Sequence, residues 1–294
     1  MVKTIGNPMS WTVGALGGSS RYIASATTEI GGREGAPPVV GRLRTEDIGI
    51  ALRKGVADFV AFRSDAIFAV VLYPVIGLCL AAVALNRELL PLLFPLLSGF
   101  ALVGPLAAVG LYEMSRRREA GQPASWGDAL GVMGSPAIGP LGLMGLYLVA
   151  IFIAWLLTAW FLYSVTLGPE PPASLGSFLL DVFTTGAGWA MIVLGIGIGL
   201  VFAAVVLAIS IVSLPLLLDR RVGVPVAIAT SLRVARESPG PVAGWGLVVA
   251  ASLVFGFATF FLGLIIVLPV LGHATWHLYR RVVPAAGPAG TESA

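Results

Sequence analysis

The chain has 294 residues, 57% of them hydrophobic and only 11% charged, with a net charge of +3. A soluble domain carries roughly 25% charged residues, so this composition excludes a water-soluble protein of this size. Apolar runs longer than the roughly 18 residues that mark a membrane span indicate an all-α, polytopic helical membrane bundle, and their continuity excludes a β-barrel, whose strands alternate apolar and polar residues.

Residues 1–44 read as a flexible tail, rich in Gly, Ser and Thr with Pro37-Pro38 near its end. It holds no apolar core behind a basic start, so no signal peptide is expected, and Trp11 and Tyr22 read as incidental aromatics. Thr45 or Asp47 is placed to cap a helix reaching about Arg63, with Ile48, Leu52, Val56 and Phe59 on its apolar face. A first span is expected over residues 66–85, with Pro74 at its middle. Cys79, the sole cysteine, lies inside it and reads as a small buried hydrophobe.

The second span, residues 89–112, carries Pro91, Pro95 and Pro105 and should be kinked. Gly104 and Ala108 form a small-xxx-small pair for close helix contact. Ser98-Gly99 reads either as an unwound substrate segment or as a packing site whose serine bonds back to a carbonyl. Glu113 is expected to pair with Arg116 or Arg117 on the next turn. Arg116-Arg117-Arg118 then forms a basic interface anchor, followed by a short amphipathic piece around Trp126, Asp128 and Leu130.

The third span is read over residues 141–167 and the fourth over 189–216. Between them, residues 173–188 form a loop whose Phe178, Leu179, Leu180 and Val182 dip into the interface. Gly195, Gly197 and Gly199 offer a close-packing face on the fourth span rather than a nucleotide loop, since neither a preceding strand nor a ribose-binding acid fits a span. Asp219-Arg220-Arg221 closes it, and a third amphipathic segment covers residues 225–237. Residues 240–283 then run for 44 residues with no acid and no base before Arg280. A straight helix of that length is about 66 Å long, about twice the hydrocarbon core, so it must fold back. A turn at Phe261-Leu262-Gly263-Leu264 divides it into spans five (241–262) and six (264–279).

Six spans thus form three helical hairpins, each preceded by an amphipathic interfacial helix. The membrane domain covers residues 45–283 and a disordered C-terminal tail residues 284–294. This arrangement puts twelve bases near the spans on one side (Arg53, Lys54, Arg63, Arg116, Arg117, Arg118, Arg220, Arg221, Arg233, Arg236, Arg280 and Arg281) against Arg87 alone on the other. By the positive-inside rule both termini are cytoplasmic. Trp160 and Trp189 are expected at the outer interface, and Trp126, Trp245 and Trp276 at the inner one.

The only two histidines, His273 and His277, stand four residues apart and share one helix face. Such a pair can hold a metal ion, or each can serve as one haem axial ligand, with Tyr112, Glu113, Met114 or Cys79 as further metal ligands. The plainer reading makes them water-reachable anchors at the inner interface, beside Trp276, Tyr279, Arg280 and Arg281.

Several strings resemble one bacterial family. They are Asp58-Phe59, Tyr73-Pro74, Phe94-Pro95-Leu96-Leu97-Ser98-Gly99, Gly104-Pro105, Gly110-Leu111-Tyr112-Glu113 with Ser115-Arg116-Arg117, and Leu271-Gly272-His273-Ala274-Thr275-Trp276-His277-Leu278-Tyr279-Arg280. The family is the integral membrane proteins catalogued as domain of unknown function family 2189, and the similarity is read over about residues 45–283. The resemblance implies a bacterial inner-membrane protein. The cytochrome c oxidase component label of some members implies an association with a respiratory complex.

By the span boundaries above, no span has Asp, Glu, Lys or Arg at its centre, where ion-coupled transporters and pumps usually place one. No phosphate-binding loop or cysteine pair is present, and no Ser-His-Asp set is evident. The expectation is a non-enzymatic membrane protein without a cofactor or nucleic-acid partner, acting through the lipid bilayer and other membrane proteins. The alternatives are a transporter or channel for a neutral solute, with its pathway at Ser98, Gly99 and Pro105, and a metal- or haem-handling factor using His273 and His277.

Overall fold

A computed structural model describes residues 38–62, 74–75, 77–78, 80–82 and 85–284. The expectations for Trp11, Tyr22, Arg63 and Cys79, for most of the first span and for residues 285–294 lie outside them. The described elements are all helical. In chain order they are α1 (Thr45–Ala61), α2 (Leu93–Ala107), α3 (Val109–Glu119), α4 (Trp126–Gly131), α5 (Ile138–Thr166), α6 (Leu175–Thr184), α7 (Gly186–Ser210), α8 (Ser213–Asp219), α9 (Val224–Glu237), α10 (Pro239–Ala258) and α11 (Leu264–Val282). Short 3-10 turns precede α2 and follow α4.

Four stretches are long and apolar enough to cross a membrane: Leu90–Glu119, Ile138–Thr166, Gly186–Asp219 and Pro239–Ala258. They correspond to the second, third, fourth and fifth expected spans. The second and fourth are each interrupted near the polar end. α2 gives way to α3 at Ala108, three residues past Pro105. α7 stops at Ser210 and α8 resumes at Ser213, because the ring of Pro215 crowds the carbonyl four residues back, at Ile211. α10 and α11 fold back on one another through residues 259–263, as the length argument requires. The reversal is carried by Phe260 and Phe261, whose φ values of 52° and 66° are left-handed, a conformation that large side chains adopt at a cost.

Residues 173–188 depart from the loop reading. They contain α6, capped by Ser174, whose hydroxyl accepts the Ser177 N–H at 3.1 Å. Phe178 and Val182 pack under Tyr163, while Leu179 and Leu180 face outward.

The buried face of α1 also differs from the expected one. Ile48, Ala51, Gly55 and Asp58 are buried, whereas Val56 and Val60 are exposed. The reason is close approach: a Cβ at Gly55 would stand 2.7 Å from the Val270 carbonyl oxygen and 2.8 Å from Ala274 Cβ on α11. Small residues let α1 lie flush on α11, and the bulkier apolar side chains are left outside. Asp47 caps α1 by accepting the Arg44 N–H at 2.9 Å, and its other oxygen holds Arg281.

At mid-bundle, one side chain joins three helices. Trp155 of α5 is buried and donates its indole N–H to the Pro95 carbonyl at 3.1 Å. Its ring lies 3.3 Å from where a Cβ would sit on Gly99 of α2 and 3.1 Å from the equivalent point on Gly199 of α7. The two glycine motifs of the sequence thus make room for one indole. Gly195 faces Leu162 at an ordinary 3.5 Å. Gly104, expected at a helix contact, has nothing within 4 Å of where its Cβ would sit and packs against no described neighbour there.

These contacts separate two glycines that look alike in sequence. Gly55→Ala should lower thermal stability by about 1–3 kcal/mol, because the added methyl overpacks the α1–α11 contact. Gly104→Ala should leave the melting temperature unchanged or higher. Equal melting temperatures for the two variants in the same detergent would refute this packing.

Candidate functional site: a buried acid–serine–histidine cluster

The polar residues of the bundle gather at one end, where the C-terminal turns of α1, α3, α8 and α11 meet. At the centre of this end is Asp58, on the last turn but one of α1 and only 4% exposed. α3 contributes Ser115 and Arg118, and α11 contributes His273 and His277. Gly272 allows the approach of α3 to α11, since a Cβ there would stand 2.5 Å from Leu111.

The carboxylate is fully engaged. Asp58 Oδ2 accepts from His277 Nε2 at 2.8 Å and from the Ser115 hydroxyl at 2.6 Å. Oδ1 accepts from Arg118 Nη1 at 2.6 Å, and the same nitrogen donates to the Ala57 carbonyl at 2.8 Å. Ser115 Oγ also lies 2.8 Å from His273 Nδ1. Proton counting then assigns the tautomers. Ser115 gives its only proton to Asp58, so His273 donates from Nδ1 to the serine oxygen, and His277 donates from Nε2. The Phe62 ring covers His273 at 5.9 Å, and the Arg118 guanidinium lies 5.8 Å over that same ring.

Burial alone would raise the affinity of Asp58 for a proton. The hydrogen bonds from His277 and Ser115, together with the charge of the two imidazoles, outweigh it and hold the carboxyl below its ordinary value of 3.8.

The histidines share a face, as their spacing requires, but their roles differ from those expected. His273 is fully buried and His277 is 9% exposed, so they are not water-reachable interface anchors. A depression of about 300 Å³, lined by Lys54, Arg118, Glu119 and His277, brings solvent only to the rim of the cluster. Nor does the geometry favour joint chelation, since His277 Nε2 and His273 Nδ1 are each turned to a protein partner. Among the described residues, no group of three or more His, Cys, Asp or Glu is arranged to hold a metal ion. Glu113 is taken by Arg116, bidentate at 2.7 Å, and by Arg117 at 3.1 Å, as the sequence spacing suggests.

The cluster also differs from a nucleophilic triad. There, histidine takes the serine proton and the acid orients the histidine. Here the acid takes the serine proton directly, and Ser115 is fully buried. The hydroxyl is a structural donor.

The other interface anchors prove to be internal. Trp276 and Tyr279 are 0% exposed. Trp276 donates to Glu119 at 3.0 Å and Tyr279 to Asp219 at 2.7 Å. Arg280 stacks 4.6 Å above Trp276 and forks onto Asp219 at 2.8 and 2.9 Å. Trp245 is also buried, whereas Trp160 and Trp189 are exposed near the opposite end. Ser98 bonds back to the Pro95 carbonyl at 3.3 Å, and Pro105 sits within α2. Neither of the two best-formed cavities is lined by Ser98, Gly99 or Pro105.

Sequence reasoning missed Asp58, Ser115, Glu119, Asp219 and Trp155 as partners. A signal for Asp58 was present: Ile48, Ala51, Gly55 and Asp58 follow helical spacing along one small-residue face.

Asp58→Ala should destabilise the protein by about 3–5 kcal/mol at neutral pH, since it leaves buried donors unmatched. Because the folded carboxyl is held below 3.8, its contribution is complete above that pH and is lost as pH falls through the lowered value. The melting difference between wild type and variant should therefore be constant at mild pH and close under strong acid. A gap that persists unchanged into strong acid would contradict the assigned ionisation.

Comparison with known proteins gives one match. No curated protein and no solved structure matches the chain. The strings at residues 58–59, 73–74 and 271–280 fall outside the matched stretch. Over residues 93–219, a little under half of its length, the chain matches the model of the family described as Predicted integral membrane protein (DUF2189), and it is an integral membrane protein, resembling that family of unknown function.

Proposed function

We propose that the chain is a six-span, non-enzymatic protein of the bacterial inner membrane, with both termini cytoplasmic, that acts through contacts with lipids and with other membrane proteins. The observation that carries this reading is the division of the bundle into two kinds of surface. Its buried polar groups are largely spent on one another at one end. Its apolar helices turn large side chains outward: on α7 alone Val193, Leu200 and Val201 are 65%, 68% and 62% exposed. Such a surface suits lipid tails and neighbouring helices.

The six-span count adds residues 66–85 and the apolar part of α11 to the four long stretches. α11 is too polar to qualify by composition, because its last turns hold both histidines, Arg280 and Arg281. Those turns are packed inside α1 and α3 rather than turned to lipid, which supports its place as a span. The three amphipathic helices α1, α4 and α9 then lie on the basic, cytoplasmic side. The association with a respiratory complex follows from the family label alone and belongs to this proposal.

Two measurements test it. In a Cys79→Ser background, Arg87→Cys should react with a membrane-impermeant thiol reagent on spheroplasts, and Ala120→Cys only after the membrane is opened. Reaction of both from the same side would refute the topology. Purification in mild detergent should bring down a reproducible membrane partner or tightly held lipid. A lone, lipid-free protein with a turnover activity would overturn the non-enzymatic reading.

A further inference from the structure

The largest cavity among the described residues lies beside the acid–serine–histidine cluster but belongs to different side chains. It has a volume of about 410 Å³, within the roughly 300–1,000 Å³ of ligand sites. Its walls come from α3, α4, the turn before α5 and the end of α8. Val132, Pro140 and Leu217 give it an apolar side, and four arginines, Arg116, Arg117, Arg220 and Arg221, surround its mouth.

The charge within it does not balance. Arg116 and Arg117 share Glu113, and Arg117 also reaches Asp128 at 2.8 Å. The third acid, Asp219, is already forked by Arg280 and bonded by Tyr279. Arg220 therefore stands 3.8 Å from Asp219, too far for a hydrogen bond, and its buried Nε has no partner. Its Nη2 is held by the Pro284 carbonyl at 2.7 Å, which fixes the guanidinium in place. Arg221 is exposed and makes no ion pair among the described residues. Two arginines thus lack a carboxylate of their own, beside a cavity with room for a ligand. The N-terminus of the 29-residue α5 begins just past Ser135, Pro136 and Ala137 on the cavity wall and adds positive potential.

We infer that this cavity binds a phosphate group through Arg220 and Arg221. Guanidinium groups recognise phosphate oxygens through paired, charge-assisted hydrogen bonds. The buried Nε of Arg220 gains the acceptor that Asp219 does not supply. The phosphate has two sources: the headgroup of an anionic phospholipid, with its glycerol end against the apolar side, or a free phosphate from the aqueous phase. The headgroup case deepens the lipid-contact proposal and rests on it, whereas the free-phosphate case stands without it.

The test uses the full-length protein in detergent, with native mass spectrometry for dioleoylphosphatidylglycerol and calorimetry for inorganic phosphate. Wild type should bind at least one of these probes. Arg220→Gln/Arg221→Gln should bind it about tenfold more weakly, the loss of one charge-assisted contact. Arg53→Gln, an exposed position on α1 outside the cavity, should match wild type and controls for net charge. Arg221→Gln alone removes only an exposed side chain and serves if the double variant fails to fold. Lipid that stays bound in excess inorganic phosphate identifies the headgroup as the source. Phosphate binding that the variants weaken, with no retained lipid, identifies a soluble phosphate. Binding of neither probe, or equal binding by wild type and the arginine variants, overturns the inference. That result would leave the broader lipid- and protein-contact reading to its own copurification test.

Discussion

Asp58 is a charge that the fold has to neutralise in a place with almost no water. A lone carboxylate there would cost several kcal/mol. The bundle meets that cost with three donors from two other helices: His277, Ser115 and Arg118. The requirement is geometric as well as energetic. α1 must lie close to α11, which only Gly55 and Ala274 allow, and α3 must bring Ser115 between the carboxylate and His273. Once those three helices are set, neighbouring pairs fall into place. Arg281 reaches Asp47, Arg280 reaches Asp219 and Glu119, and the Gly41 N–H bonds to the Val282 carbonyl.

The apolar part of the bundle is built on a different principle. There the helices have no hydrophobic driving force toward one another if lipid surrounds them, and close packing has to hold them. Trp155 between Gly99 and Gly199 is that device, with its single polar atom satisfied by the Pro95 carbonyl. The molecule therefore has a clamp of small residues around one indole at mid-height and a charge network at one end. The outward faces of α5, α7 and α10 are left free for lipid or a partner.

The helical class, the four long apolar stretches and the reversal near residue 261 were legible in the sequence, because length and hydropathy act locally. So was the Glu113 pairing, which lies within one helix. The long-range partners were not. Nothing local links Asp58 to His277, which is 219 residues away. The tryptophan and tyrosine of α11 looked like interface anchors because composition does not reveal which side of a helix another helix covers. Val56 misled for the same reason: hydrophobic size suggested the buried face of α1, but close approach selected the small residues instead. Gly104 and Gly99 are both small residues in one apolar helix, and only the neighbouring helix distinguishes them.

The central claim is that Asp58 and His277 act as one unit joining α1 to α11. A double-mutant cycle of Asp58→Asn and His277→Gln, read by reversible unfolding in mixed micelles, tests it most directly. A hydrogen-bonded buried pair should show a coupling energy of about 1–3 kcal/mol, with the second substitution costing far less once the first is made. Additive losses, with no coupling beyond error, would contradict the account.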